Sequence, residues 1–259
     1  MNLTETQIER YSRHIILPEV GGRGQERLLA GKVLLVGAGG LGCPAGLYLA
    51  AAGVGTLGIM DGDVVDLSNL QRQVAHATPD LGRPKVESVA DKLRAINPDA
   101  TVRTYRERLT AANALSILNE YDFVIDGTDN FAAKFLVADA CHFAGKPYVH
   151  AGILRFDGQI MTVRPGKTAC YRCVFHAPPP PDAVPSCSQA GVLGVVAGVV
   201  GTLQAAEAVK YLLGADELLT DTLLVYDAWR TRFRKAPVKR NPNCPLCGAA
   251  PTVTTLAAK

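Results

Sequence analysis

Two pairs of cysteines share one spacing in this 259-residue chain, Cys170-Tyr-Arg-Cys173 and Cys244-Pro-Leu-Cys247. A CxxC turn aims two thiolates at one ion, and two such turns complete a tetrahedral set, so the four residues predict an all-cysteine site for Zn2+. Closed coordination leaves no place for water, which makes that zinc structural, a pin holding the C-terminal segment against the rest of the fold. A redox role lacks the strand-to-helix setting of a thioredoxin motif around either pair. Of the seven cysteines, Cys43 and Cys141 fall in apolar, helical surroundings and read as core. Cys187 differs: it follows a Pro-rich run and precedes a Gly-rich helix, where a thiol near a helix N-terminus can become nucleophilic.

The second constellation is Gly37-Ala-Gly39-Gly40-Leu-Gly42, directly after a short apolar run and opening a helix. Glycines there let backbone N–H groups approach a phosphate at the helix N-terminus. Asp61 ends the next apolar run, 19 residues after Gly42, where an acid can bond a ribose hydroxyl. Taken alone, these fit a nicotinamide-dependent oxidoreductase. Asp63, the run Ser68-Asn69-Leu70-Gln71-Arg72-Gln73, Lys85, and Asp126-Gly-Thr-Asp129-Asn130 argue otherwise. Arg72, Lys85 and Asp129 all fall just beyond C-terminal ends of predicted strands. Cations with a carboxylate at a phosphate site suit ATP with Mg2+ rather than a nicotinamide. A scaffold that merely docks a partner has no use for such a set.

The elements that must position these residues alternate. Thr4 and Gln7 form a capping-box pattern that predicts a helix through Arg13, and a Gly-rich turn precedes a second helical segment ending near Gly31. Strands are predicted at 32–36, 56–60, 101–105 and 123–125, and helices at 44–52, 85–96 and 111–119. This alternation implies an α/β fold, a doubly wound, Rossmann-like and mostly parallel sheet. From Tyr148 onward strands at 148–151, 159–163 and 223–226 lack helical crossovers, so the sheet should gain a mixed or antiparallel C-terminal extension. The expected organisation is an N-terminal helical segment 1–30, an ATP-binding domain 31–248 with a crossover loop 176–189, and a disordered tail 249–259.

Bulk composition excludes more than it assigns. A formal charge of +3 points to neither nucleic acid nor a membrane surface. The longest apolar stretch, 190–203, is broken by four glycines and reads as a buried helix. The polar, acidic start carries no secretory signal, and cysteines in CxxC pairs suit a reducing compartment, so a cytoplasmic location is expected.

Arg10-Tyr-Ser-Arg13, the glycine turn, Asp61-Gly-Asp63, Ser68-Asn-Leu-Gln-Arg72, Gly82-Arg-Pro-Lys85 and Asp126-Gly-Thr-Asp-Asn130 together resemble the MoeB/ThiF/HesA family, bacterial relatives of ubiquitin-activating enzymes. The likeness runs from about Arg10 to Gly248. It implies an adenylyltransferase that activates the C-terminal glycine of a small ubiquitin-like sulfur-carrier protein for molybdopterin, thiamin or tRNA-thiolation pathways. It implies that Gly40, Asp61, Asn69, Arg72, Lys85 and Asp129 hold ATP and Mg2+, with Ser68, Leu70, Gln71 and Asn130 in the same motifs. It further implies a homodimer in which Arg13 reaches the neighbouring subunit's ATP. Cys187 matches the position of a conditional cysteine that captures the activated carrier in some members. No rhodanese-like extension follows Gly248, so the sulfur donor is expected to be a separate protein of cysteine desulfurase or rhodanese type.

Overall fold

Eight strands form one sheet in the computed structural model, which describes residues 3–180 and 187–256. They are β1 (Lys32–Val36), β2 (Thr56–Met60), β3 (Thr101–Tyr105), β4 (Phe123–Asp126), β5 (Tyr148–Leu154), β6 (Asp157–Val163), β7 (Thr222–Asp227) and β8 (Arg232–Pro237). Their order is β3-β2-β1-β4-β5-β6-β7-β8; the first five are parallel, and the hairpin partners β6, β7 and β8 are antiparallel. The alternation of strand and helix up to residue 148 and its loss afterwards translate directly into these two halves. The chain leaves β1 toward β2 and later returns to the opposite side of β1 as β4, so a crevice opens where the two paths diverge, at the C-terminal ends of the strands.

Both faces of the sheet are covered, as parallel strands require. On β1, Val33 and Leu35 enter one apolar layer and Leu34 and Val36 the other. Each such side chain contributes about 1.5–3 kcal/mol of burial. One layer is built by α4 (Gly42–Ala52), α5 (Lys85–Ile96) and α10 (Gly194–Leu213); the other by α6 (Ala114–Leu118) and α7 (Phe131–Phe143), with the cysteine knuckles beside them. The helix α10 is long and apolar enough to span a membrane by composition alone. Here it packs on α4, β5 and β6, and its buried Gln204 donates to the carbonyls of Asp126 and Val149. It begins and ends later than the apolar stretch suggests, because the polar residues beyond 203 find buried partners: Glu207 accepts from Thr162 and from the Leu219 amide.

The N-terminal region keeps the predicted capping box at Thr4 but is two helices, α1 (Glu5–Arg10) and α2 (Ser12–Ile15). They break at Tyr11, whose buried ring turns inward and whose hydroxyl accepts from Asn97 at 2.8 Å. The glycines expected to form a turn lie inside α3 (Gly21–Ala30), where Gly24 lets the Leu213 side chain approach. The helix expected over 111–119 is only α6, since residues 111–113 form a turn bonded through Asn113 and Thr110. Residues 249–256 are no free tail: Thr252 and Val253 donate to the Pro245 carbonyl, and Val253 and Leu256 pack on the second apolar layer. The Pro-rich run within the expected crossover loop falls partly outside the described residues.

Candidate active site

The glycine turn owes its path to backbone crowding. Gly37 adopts φ +106°, and a Cβ there would lie 2.7 Å from the Gly127 carbonyl; a Cβ on Gly42 would lie 1.9 Å from the Gly37 carbonyl. Neither position accepts a side chain, so the turn presses against the loop that follows β4. Gly39 instead faces Gln73 at 3.5 Å from a Cβ position, and Gly40 faces Ala197 of α10 at 3.2 Å and Arg72 at 3.5 Å. Asp61 closes the turn: its carboxylate accepts from the amides of Ala38 and Asp63, both at 2.8 Å. The lone pairs left on its two oxygens are those open to the expected ribose contact. Behind the turn, buried His76 donates from Nε2 to the Ala38 carbonyl at 3.0 Å and accepts from Ser88 at Nδ1. Burial lowers its pKa and keeps it neutral in that role.

Beside the turn lies a cavity of about 510 Å³. Five predicted residues line it: Asp63, Asn69, Arg72, Lys85 and Asp129. They arrive from three separate segments, after β2, at the start of α5 and after β4. The segment carrying Arg72 and Lys85 is fixed at its far end. Asp80 is buried there, accepting from Arg83, Lys92 and the Ala77 amide, while Lys85 N donates to the Asp63 carbonyl at 3.0 Å. Lys85 is 7% exposed and its ammonium stands 3.3 Å from Asp63. Partial burial would raise the Asp63 carboxyl, but Arg108 at 3.0 Å and Lys85 outweigh it and hold it below the usual carboxylate range. Arg72, also in the cavity lining, donates to the Ser68 carbonyl at 3.0 Å.

Other predicted residues serve the frame. Ser68 bonds Asp66, Gln71 packs its carbonyl against Gly194 at the start of α10, and Leu70 is half-buried. Asn130 caps α7 through the Ala133 amide. Arg13 is exposed on α2 and does not line the cavity of its own chain. Cys187 begins α9 (Cys187–Ala190), but its side chain lies outside the described residues. Sequence reasoning missed Arg108, although it follows β3 at the same sheet edge and the rule that flagged Arg72 would have found it. It also missed Lys134 and His150, the buried partners of Asp126, for which spacing carries no signal.

The four cysteines of the knuckles converge. Their sulfurs all lie within 4.8 Å of one another, with Sγ–Sγ distances of 3.7, 3.5 and 3.4 Å for Cys170–Cys173, Cys170–Cys244 and Cys173–Cys247. Zinc bonds of about 2.3 Å in a tetrahedron place sulfurs about 3.8 Å apart, so the donor set fits that ion. Backbone amides of Asn241 and Cys247 point at Cys173 and Cys244 sulfurs, as thiolate ligands require. Cys43 lies apart in the core, its thiol pushed up to about 12 by burial, and it is inert there.

A family profile described as "ThiF family" matches residues 11–246. The chain is 51% identical over 257 residues to the sulfur carrier protein adenylyltransferase of Thermus thermophilus, covering 97% of this chain and 95% of that protein. It is 49% identical to the SAMP-activating enzyme E1 of Haloferax volcanii, covering 96% and 92% of the two chains. Among solved structures, Escherichia coli MccB with AMPCPP and MccA superposes with a TM-score of 0.82 at 25% identity, over 95% of this chain and 75% of that one.

Proposed function

The chain belongs to the ThiF family, and we propose that its cavity uses ATP to adenylate the C-terminal carboxylate of a small ubiquitin-like sulfur-carrier protein, releasing pyrophosphate. The observation that carries this reading is the meeting of Arg72, Lys85 and Asp129 in one cavity beside the glycine turn. A carboxylate is already a nucleophile at neutral pH, so no general base is needed. The barrier is the approach of one anion to the α-phosphate of another, and fixed cations with correct alignment lower it. Lys85 and Arg72 offset the phosphate charge, and the glycine turn supplies backbone donors. Asp129 has an exposed carboxylate whose one short contact among the described residues is Asn130 Nδ2 at 3.4 Å, which suits it to hold Mg2+. Magnesium, when bound, supplies further neutralisation of the triphosphate. The four converged cysteines would hold a structural Zn2+. A cytoplasmic location, where ATP is available and thiols stay reduced, belongs to the same reading. ATP–pyrophosphate exchange, with carriers of the molybdopterin, thiamin and tRNA-thiolation pathways offered in turn, tests the reading; exchange with none of them defeats it.

The working unit in this proposal is a homodimer. Arg13 is solvent-exposed and absent from its own chain's cavity, which suits a residue that completes the site of a second copy. Arg13→Ala and Asp129→Ala chains, each inactive alone, should regain exchange when co-expressed, because hybrid dimers retain one intact site. Proven heterodimers that stay inactive would show that Arg13 serves its own subunit or none.

Cys187 enters after adenylation in this scheme. No thiol takes part in joining a carboxylate to a phosphate, so Cys187→Ala should leave pyrophosphate exchange near the wild-type rate. If the thiolate then attacks the carrier adenylate, AMP leaves and a thioester forms. Mass spectrometry of enzyme, ATP and carrier should detect an adduct cleaved by hydroxylamine and absent in the variant. The absence of that adduct with a carrier that supports exchange would remove Cys187 from the reaction. A separate sulfur donor then converts the activated carrier to its thiocarboxylate.

A further inference from the structure

One ammonium bonded to the loop that follows β4 has all three of its protons committed. Lys134, one turn into α7 and 8% exposed, donates from Nζ to the carbonyl of Ala151 at 2.6 Å and of Thr128 at 2.7 Å. It also donates to Asp126 Oδ2 at 3.4 Å. A lysine has three donors, so none remains for a ligand. Asp126 is equally saturated: Oδ2 also accepts from His150 Nδ1 at 2.9 Å, while Oδ1 accepts from the amide and hydroxyl of Thr128 at 3.1 and 2.6 Å. Asp126 and His150 are each 1% exposed.

Burying such a group is not the cheapest way to fill this space, since well-packed apolar residues in place of buried ion pairs are often neutral or stabilising. What the group does hold is Thr128, whose amide and hydroxyl are fixed by Asp126 and whose carbonyl is fixed by Lys134. On the other side Asn130 is fixed by capping α7. Asp129, between them, is therefore immobilised through both neighbours while its own carboxylate is left facing the cavity.

We propose that Lys134 is a positioning residue that, through Asp126 and the Thr128 carbonyl, presents the Asp129 carboxylate to the divalent cation of the bound nucleotide. This rests on the role given above to Asp129. Lys134 touches neither nucleotide nor metal. The measurement is Mn2+ binding to the enzyme in the presence of AMPCPP, followed by electron paramagnetic resonance, beside the Mg2+ dependence of pyrophosphate exchange. Lys134→Met should weaken Mn2+ binding by about ten- to a hundredfold, the size of loss when groups that orient metal ligands are removed. The Mg2+ needed for half-maximal exchange should rise, with the rate at saturating Mg2+ close to wild type. Lys134→Arg should restore part of the affinity, a rescue that a purely structural defect would not link to metal. Should Lys134→Met fail to fold, Asp126→Asn with Lys134→Met removes both charges at nearly constant volume and carries the same expectation. Added to Asp129→Ala, Lys134→Met should cause no further loss of Mn2+ affinity. A folded Lys134→Met variant that binds Mn2+ and AMPCPP like wild type overturns this proposal alone. Wild-type binding in Asp129→Ala overturns the reading of the site as well.

Discussion

Lys85→Ala, and separately Arg72→Ala or Asp129→Ala, should each lower carrier-dependent ATP–pyrophosphate exchange by about 10²-fold or more, the loss found when one preorganised electrostatic group is removed from a catalytic site. Lys85 makes the strongest case. It is the first residue of α5, where the positive end of the helix dipole disfavours a cation. It is 7% exposed, so its ammonium also bears a desolvation cost. Its one short side-chain partner among the described residues, Asp63 at 3.3 Å, is already paired with Arg108 at 3.0 Å. Removing Lys85 thus leaves Asp63 compensated and relieves α5 of an unfavourable charge, so thermal stability should stay level or rise while exchange collapses. In the proposed function, an anionic ligand accounts for a cation kept at that position. Wild-type exchange in all three variants would place the nucleotide elsewhere. A large fall in stability in Lys85→Ala would recast the residue as structural.

Cys244→Ser should remove zinc and stability together. The knuckle of Cys244 and Cys247 lies after β8, and that of Cys170 and Cys173 before α9, so the ion would close a loop between residues 74 positions apart in the chain. The tie is also a packing element: Cys244 and Leu246 are buried in the second apolar layer with Tyr148, Met161 and Val163. Without the ion, only weak hydrogen bonds and apolar packing keep these sulfurs 3.4–3.7 Å apart. Loss of a structural metal removes folding free energy outright. A loss of about 3–5 kcal/mol corresponds to a Tm fall on the order of 10 °C for a chain of this size. Metal analysis should find one zinc per wild-type chain and much less than one in the variant. Full zinc occupancy in Cys244→Ser would show that the assigned ligand set is wrong.

Those two sites were legible in the sequence to different depths. The cysteine spacing predicts both the ligand number and the partners, and the structure brings all four sulfurs together. For the proposed nucleotide site, Asp63, Asn69, Arg72, Lys85 and Asp129 do share one cavity, because the segments after β2 and β4 and the start of α5 meet at the C-terminal edge of the parallel strands. Asp61, expected to bond a ribose, also accepts from the Ala38 and Asp63 amides, and Asn130 of the same motif set caps α7. Motif position identifies the neighbourhood of such residues without saying which groups their side chains already serve.

Features that depend on near neighbours along the chain are readable from residue order: the capping box at Thr4, the glycine turn that opens α4, the CxxC knuckles and the parallel strands with their crossovers. Helical and strand periodicity and the steric demands of glycine act within a few residues, so local order carries them. The break at Tyr11, the return of residues 249–256, the pairing of Arg108 with Asp63 and the burial of Asp126, Lys134 and His150 arise from long-range packing. Each of those depends on which strands become neighbours. His150 meets Asp126 because β5 pairs with β4 at that register, and Tyr11 turns inward because Asn97, 86 residues away, offers its amide. Contacts across such separations are selected by the packing free energy of the whole sheet, and no short stretch of sequence records it.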